Sequence, residues 1–270
     1  MKKKTIMNWV MAATLVCGMS LFTSCSSDND DKPIDSKLME QLVGKWLYCE
    51  ADGEIVETEE ASITTYVMEG TKLKAYTSEA QKKYGLWAYK QPTDVKIDGN
   101  KLTLTMQKDD ITTVEDCTDI IISGDDMYYT SMYTVMRGGK VIDIDGPYLL
   151  HCTKVYKDYA PIFIGRWEGT VTSDEPGFTP QPFCEAYNPD GTITAYELVD
   201  GQWVAEKAEY SEYFIDGNLL CTRWKDAGSE EVFQNCIFES YTDGKMILKE
   251  VVVRNDKLYT ETSTLTKTAN

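Results

Sequence analysis

The chain contains one histidine, which limits the catalytic sites that it could build. His151 lies in the apolar run PYLLHCTKV. A serine or cysteine nucleophile would need the imidazole beside it as a base. The adjacent thiol, Cys152, projects from the opposite face if this run is a strand. We therefore predict that His151 has a structural role.

Carboxylates are the second candidates for chemistry, because the chain has 44 acidic and 27 basic residues. In VIDIDGP, Asp143 and Asp145 share one face of a strand, as a paired-carboxylate hydrolase or a weak calcium site would require. The competing interpretation, which we favour, is turn chemistry and a solvated face. The sequence has no EF-hand loop, no C-x-x-C spacing and no glycine-rich loop before a helix. We predict a protein that is not an enzyme, without catalytic residues, metal or cofactor.

Six cysteines follow the N-terminal region: Cys49, Cys117, Cys152, Cys184, Cys221 and Cys236. Cys49 lies on a first strand and Cys152 on a last strand, and these strands are neighbours in a closed barrel. A disulfide between them is one alternative, and buried free thiols are the other. We favour free thiols for Cys117 and Cys236, because they occupy equivalent positions in an internal repeat described below.

Aromatic side chains are the remaining candidates for a binding site. Five of them could line an apolar cavity or a glycan-stacking surface: Trp87, Trp203, Trp224, Tyr66 and Tyr187. An aromatic side chain on a strand also commonly packs in the core. We predict these five as ligand-binding candidates.

The N-terminal region predicts a cellular address. Residues 1–24 combine three lysines with an apolar run that is too short to be a good membrane span, which is typical of a signal peptide. LFTSC resembles the lipobox of bacterial lipoproteins, and this resemblance implies cleavage before Cys25 and lipidation of its sulfur. An ordinary cleaved signal with an unrelated cysteine is the alternative.

Residues 25–34 form an acidic segment, which we predict to be a flexible tether. An acidic run at this place resembles the export signal of surface lipoproteins in Bacteroidota. The resemblance implies an outer-membrane lipoprotein that is exposed at the cell surface and attached to the membrane by its lipid. Without residues 1–24 the chain keeps 24 basic and 44 acidic residues, a formal net charge of about −20. Nucleic acid is therefore excluded as a partner.

The remaining sequence contains an internal repeat, which decides the architecture. The matching landmarks, in the same order in both halves, are VGKWLY with IGRWEG, EGTKLKAYT with DGTITAYE, GLW with GQW, two copies of IDGN, Cys117 with Cys236, and HCTKV with TLTKT. The repeat predicts two domains, at 35–157 and 158–270.

Each half shows the alternation of strands. In KLTLTM the apolar residues Leu102, Leu104 and Met106 share one face. The Asp98-Gly99 and Asp216-Gly217 pairs offer the positive φ that a tight hairpin needs. Turn signals recur at intervals typical of an antiparallel meander. We predict an all-β protein of two tandem meander barrels, each of about eight strands, with a short helix at SKLMEQLVG.

The order of these motifs resembles a known family. Gly44-Lys45-Trp46 and Gly165-Arg166-Trp167, each after a helix-like lead-in or a short joint, resemble the G-x-W opening of lipocalins. With the second G-x-W and IDGN, the chain looks like the lipocalin-like lipoproteins of Bacteroidota. The resemblance implies calycin-like barrels in which Trp46 and Trp167 close one barrel end.

Two functions remain open from the sequence. The first is a non-enzymatic, lipid-anchored binding protein for a small apolar or amphipathic ligand. The alternative is a structural or interaction module whose outer surface contacts a protein or a glycan. Fold resemblance does not separate them.

Overall fold

The computed structural model describes residues 36–88 and 92–268. The predicted signal peptide, the predicted lipidation site Cys25 and the predicted tether lie outside the described residues. In the part that the structure describes, no helix is both long and apolar enough to cross a bilayer.

The first sheet follows a short helix and closes on itself. Strands β1 and β10 pair antiparallel, so that the eight long strands form a barrel, with the two-residue strands β2 and β5 at its margin. The elements are α1 (Ser36–Leu42), β1 (Gly44–Ala51), β2 (Glu54–Ile55), β3 (Ser62–Glu69), β4 (Lys72–Gln81), β5 (Leu86–Trp87), β6 (Pro92–Asp98), β7 (Lys101–Lys108), β8 (Ile111–Ser123), β9 (Asp126–Arg137) and β10 (Lys140–Val155), with 3₁₀ turns at Thr58–Glu60 and Lys82–Tyr84.

The second sheet has nine strands in the order β14-β13-β12-β11-β19-β18-β17-β16-β15. It curls until its ends approach, where a single bridge joins Thr192 to Glu212. Its elements are α2 (Ala160–Phe163), β11 (Gly165–Ser173), β12 (Gln181–Tyr187), β13 (Ile193–Val199), β14 (Gln202–Ala205), β15 (Tyr210–Asp216), β16 (Leu219–Lys225), β17 (Val232–Thr242), β18 (Lys245–Arg254) and β19 (Lys257–Thr268). The predicted all-β fold of two tandem meanders behind a short helix is confirmed.

The G-x-W motif joins a helix to the first strand of each sheet in the same way. Trp46 and Trp167 are fully buried. Each indole Nε1 donates a hydrogen bond of 2.7 Å to the carbonyl of the last helical residue, Leu42 or Phe163. The carbonyls at a helix end lack partners within the helix. The tryptophan therefore both fills the barrel end and satisfies the helix that covers it.

A lysine from the last strand completes each joint. Lys154 lies directly opposite Trp46, and Lys267 lies opposite Trp167. The two ammonium groups lie 4.9 and 5.4 Å from the indole rings. They also donate to helix carbonyls, at 3.2 and 2.9 Å. These two lysines are the ones shared by HCTKV and TLTKT. The repeat therefore preserves the contacts among helix, tryptophan and lysine, and not only a strand.

The glycine of each motif is required by its backbone. Gly44 and Gly165 have φ angles of +123° and +122°, which residues other than glycine rarely adopt. A Cβ at Gly165 would also approach the Lys267 Cε to 2.9 Å. The tight passage from helix to strand thus leaves room for the lysine that covers the tryptophan.

The two IDGN segments form matching hairpins. Asp98 pairs with Lys101, and Asp216 pairs with Leu219, so each loop consists of the Gly-Asn pair. The positive φ falls on Gly99 (+61°) and Gly217 (+57°). We expected the Asp-Gly pair to supply it, and this was wrong for the aspartates, which end the preceding strand instead.

The two repeated thiol positions, Cys117 and Cys236, have the same register. Cys117 pairs with Leu102, the second residue after the first hairpin loop, and Cys236 pairs with Leu220, the second residue after the other. Both are free thiols that pack against their own core. Desolvation by burial is the largest cause that raises the pKa of each thiol. The two halves therefore repeat their packing as well as their topology.

The alternative of a disulfide between Cys49 and Cys152 was wrong. All six cysteines of the described residues are free. Their strands are neighbours, as expected, but Cys152 faces the core of the first sheet and Cys49 packs on its outer side. Burial raises the pKa of the Cys49 thiol to about 11, so the group is neutral and unreactive near neutral pH.

The outer faces of the two sheets pack together in what we call the sheet interface. Its apolar part contains Leu47, Ile63, Ala80, Leu219 and Cys221, all buried. Its polar part is centred on Asp216, whose carboxylate accepts hydrogen bonds from the Lys45 ammonium and the Ser78 hydroxyl. The Asn235 amide donates to the Ala80 carbonyl at 3.0 Å. The second IDGN hairpin is thereby held against the first sheet.

We predict that replacing Trp46 or Trp167 by phenylalanine lowers the free energy of unfolding by about 1–3 kcal/mol, because the helix carbonyl loses its donor and the core loses volume. Urea unfolding followed by circular dichroism measures this. Trp203→Phe, on a half-buried strand position, is the matched control and should change stability by less than about 1 kcal/mol. Equal losses of unfolding free energy in all three variants would contradict the stabilising role of the buried tryptophans.

The two IDGN aspartates provide a second matched pair. Asp216 is buried and paired across the sheet interface, whereas Asp98 is exposed. Asp216→Ala should cost about 2–4 kcal/mol, because it leaves the Lys45 charge without its partner. Asp98→Ala should cost less than about 0.5 kcal/mol. Thermal unfolding of both variants tests this, and similar midpoints would refute the role of Asp216.

Candidate functional site

A cavity of about 600 Å³ opens into the second sheet. It lies between β12 and β13 on one side and β15, β16 and β17 on the other. The two sides are joined by the bridge between Thr192 and Glu212 and by a hydrogen bond of 2.8 Å from the Tyr213 hydroxyl to the Asn188 carbonyl. The incomplete closure of this sheet therefore creates the opening.

Alternation along the strands decides which side chains line the cavity. Ile193 and Leu220 belong to the core of the second sheet. Residues two positions further along the same strands, Ala195 on β13 and Thr222 on β16, line the cavity, as does Trp224 beyond Thr222. Register places Ser211 opposite Trp224 and Gln234 opposite Thr222. The cavity lining is thus formed by the same face of β13 and β16 as the core, two residues further along each strand.

An aromatic cluster closes the other end of this interior. Phe163 packs on Trp167 and Tyr187, with ring centroids 5.5 and 4.2 Å apart. Phe238 contacts Phe163 edge to face at 4.9 Å. These rings are buried, so the cavity has a solid apolar base formed around the tryptophan of the G-x-W motif.

Glu185 is the charged group within the cavity wall. It lies between Trp167 on β11 and Ala195 on β13, and its carboxylate accepts a hydrogen bond from the Tyr187 hydroxyl. Burial raises the pKa of Glu185 to about 7; the hydrogen bond from Tyr187 opposes this shift, and the charge of Glu206 adds to it. The group can therefore change its charge near neutral pH.

A second half-buried carboxyl group, that of Glu250, lies behind the lining residue Gln234. Gln234, in the cavity wall, donates its amide to Glu250 on β18. Burial is the main cause that raises the pKa of Glu250 to about 7, and the nearby Glu261 also raises it. Arg254, further along β18, pairs with Glu175 at 2.6 Å and with Glu261. This arginine is therefore paired with carboxylates other than those of Glu185 and Glu250.

The rim of the cavity is charged and exposed. It contains Glu206, Lys207 and Asp226. Apolar side chains of the wall, Phe183 and Trp224, lie beside these groups. The site combines an apolar surface with a few polar groups, which is the usual character of a small-molecule pocket.

The five aromatic candidates are not brought together. Trp224 lines the cavity, whereas Tyr66 and Tyr187 are buried in the two cores. Trp87 packs edge to face on Phe214 in the sheet interface, with ring centroids 5.0 Å apart. Trp203 pairs with Leu198 on the β13–β14 hairpin. The structure thus places four of the five outside the cavity lining.

Sequence reasoning missed Glu185, although a signal was present. In PFCEAY the alternation places Glu185 on the same face as Phe183 and Tyr187. A carboxylate between two large aromatic residues on one strand face indicates an acid that points inward. The apolar residues of the alternating pattern alone do not single out this acid.

His151 is held by two carboxylates at the seam of the first barrel. Its Nε2 lies 2.8 Å from Asp126 on β9, and its Nδ1 contacts Glu50 on β1. Tyr128 stacks on the ring at 4.3 Å. Burial lowers the pKa of His151, but the hydrogen bonds and charges of Asp126 and Glu50 outweigh it and raise the pKa overall. The imidazole joins β1, β9 and β10 where the barrel closes.

The other candidates for chemistry bind their own loop. The Asp143 carboxylate accepts from the Ile144 amide at 3.0 Å, and that of Asp145 accepts from the Gly146 amide at 3.1 Å. Within residues 36–88 and 92–268, no group of three His, Cys, Asp or Glu side chains is arranged to hold a metal ion. These aspartates therefore shape the β10 backbone.

Comparisons with known proteins add little. No protein-family model matches the chain, and no curated protein matches it. One solved structure, a protein of unknown function from the DUF3598 family of Nostoc punctiforme PCC 73102, aligns over 85% of this chain and 97% of its own, with 9% identity and a TM-score of 0.24. A likeness at this level carries no argument.

The seam histidine makes stability depend on pH. Because its folded pKa is raised, His151 stabilises the fold fully below its ordinary value of about 6.5 and loses this effect as the pH rises through the folded pKa. Glu185 and Glu250 change stability in the same direction, so the comparison must be with His151→Gln. We expect the difference in unfolding free energy between the two proteins to shrink from pH 6 to pH 9. A difference that is constant with pH would contradict the charged seam.

Proposed function

We propose that the protein binds a small amphipathic ligand in the cavity of the second sheet and performs no chemistry on it. The cavity carries this proposal. Its volume of about 600 Å³ lies in the range of small-molecule sites. It has an apolar base and few polar groups, and its mouth is open to solvent.

The wider part of the proposal concerns family and address. The chain would be a lipocalin-like lipoprotein, lipidated at Cys25, attached to the outer membrane and exposed at the cell surface. The repeated G-x-W joint supports the family, because both copies build the same tryptophan, helix and lysine contacts. The lipobox-like sequence and the acidic tether support the address. A binding protein held at the surface would capture its ligand outside the cell.

An interaction module is the second candidate, and one surface favours it. On β10, Val141, Ile142 and Ile144 are 55%, 54% and 61% exposed. Apolar side chains grouped on a surface commonly mark contacts between proteins. The first barrel would then act through its outside, since its closed end is filled by its own core.

Binding in the cavity is tested with a neutral fluorescent probe, N-phenyl-1-naphthylamine. The wild type should bind it, and Trp224→Ala should weaken the affinity about tenfold, because a large apolar contact is lost. Trp203→Ala should have no effect, since Trp203 lies outside the lining. Equal affinities for the two variants would place the probe elsewhere.

Native mass spectrometry of protein purified from its source under mild conditions gives the complementary test. An added small mass that disappears on denaturation is expected. Stoichiometric co-purification of a protein with no small ligand, lost in an Ile142→Asp and Ile144→Asp double variant, would favour the interaction module instead.

A further inference from the structure

We infer that the ligand of this cavity carries a positive charge on an apolar body, as an alkylammonium or arylammonium ion does, with its charged end at Glu185. The inference rests on the proposed function and names the chemical class of the ligand. Four observations support it: the charges of the lining, the hydrogen-bond partner of Glu185, the aromatic wall, and the commitment of nearby cations to other groups.

The ionisable groups of the lining are mainly acidic. Three carboxylates, of Glu185, Glu206 and Asp226, face one ammonium group, that of Lys207. Clefts lined by one sign of charge concentrate ligands of the opposite sign. The whole chain, with a formal charge of −17, adds to this field. An approaching cation is therefore attracted at the rim and again within the wall.

The partner of Glu185 in the structure is a neutral donor. The Tyr187 hydroxyl donates to its carboxylate, and within the described part of the chain no lysine or arginine forms a salt bridge with it. Burying a carboxyl group without a cation is costly. A purely structural partner for Tyr187 could be a glutamine, which has no charge to desolvate. A cation bound from solvent would offset the cost.

The wall around Glu185 suits an organic cation better than a metal ion. Phe183, Ile193 and Trp224 contribute apolar surface to the lining. The face of an aromatic ring also attracts ammonium groups. No set of three potential metal ligands was found in the described ranges. The apolar body would lie on these side chains while the charged end reaches the carboxylate.

An anionic ligand finds no comparable partner. Lys207 lies on the exposed rim, where its charge is screened by solvent. Arg254 is paired with Glu175 and Glu261. Arg166, which contacts the lining residues Cys184 and Tyr196, is paired with Glu168 at 2.9 Å. Arg223 packs over the Trp87 ring at 4.5 Å in the sheet interface, on the opposite side of β16. A carboxylate ligand would therefore meet Glu185 without a compensating cation.

Binding of a cation should also release a proton. The titratable groups that face Glu185 are Tyr187 on its own strand, Glu206 and Lys207 at the rim, Cys236 on β17 and, beyond Gln234, Glu250 on β18. Burial raises the pKa of Glu185 to about 7. An ammonium ion favours the ionised form. The affinity should therefore rise with pH between 5 and 8.

The experiment uses three probes with one apolar body: 4-phenylbutylammonium, 4-phenylbutan-1-ol and 4-phenylbutanoate. Isothermal titration calorimetry on the full chain should give about tenfold to a hundredfold tighter binding of the ammonium than of the alcohol, as for a hydrogen bond to a charged group. The carboxylate should bind most weakly. Repeating the titration in phosphate and in Tris, whose ionisation heats differ, measures the proton released.

Two variants locate the effect. Glu185→Gln should bind the ammonium and the alcohol alike and release no proton. Glu115→Gln is the matched control, because Glu115 is also a half-buried acid with a raised pKa, and it accepts hydrogen bonds from Ser131 and Tyr133 in the first sheet. It should keep the wild-type preference. If Glu185→Gln fails to fold, the pH dependence and proton release of the wild type still decide the matter.

The outcomes separate the inference from the proposed function. Tight binding of the alcohol or the carboxylate, with no preference for the ammonium, would overturn the inference and leave the proposed function standing. A preference for the ammonium that survives in Glu185→Gln, or that comes without proton release, would also overturn it. If none of the three probes binds to folded protein at millimolar concentration, the binding function fails with it.

Discussion

The hydrogen bond from a buried indole to the end of a short helix is the constraint on which both sheets depend. Trp46 and Trp167 fill the end of their sheets, and each indole satisfies a helix carbonyl that has no partner within its helix. The opposite lysine, Lys154 or Lys267, comes from the last strand. First strand, last strand and covering helix are thus joined at one point.

The two sheets differ at the place where their ends meet. In the first sheet His151 ties β10 to β1 and β9, and the barrel closes. In the second sheet the bridge at Thr192 and Glu212 and the hydrogen bond from Tyr213 to Asn188 join the ends, and the gap beside them forms a cavity. Asp98 and Asp216 show the same divergence, since only Asp216 is buried at the sheet interface. The same arrangement of strands is therefore closed in the first sheet and open in the second, where the proposed binding cavity lies.

Local sequence patterns predicted most of the fold. The candidate site depends on pairing between distant strands and on sheet packing, which local patterns do not contain. Strand alternation, hairpin loops at Gly99 and Gly217 and the repeat itself are readable within short windows, which is why the tandem meanders were predicted correctly. Whether a sheet closes depends on pairing between strands far apart in sequence. The placement of Trp87 in the sheet interface depends on how two sheets pack. Glu185 was readable as an inward-facing acid from alternation alone, yet its place in a cavity wall follows only from the gap in the second sheet.

Strand β16 has no side that faces water freely. Thr222 lines the cavity, and its neighbour Cys221 belongs to the sheet interface. Leu219 and Leu220 are likewise buried on opposite sides, at 0% and 1% exposure. A strand with one solvated face can change every second residue at little cost, but β16 can change none without disturbing a neighbouring surface. Among relatives of this protein, the sequence of this strand should therefore evolve more slowly than that of any edge strand, whatever ligand each relative holds.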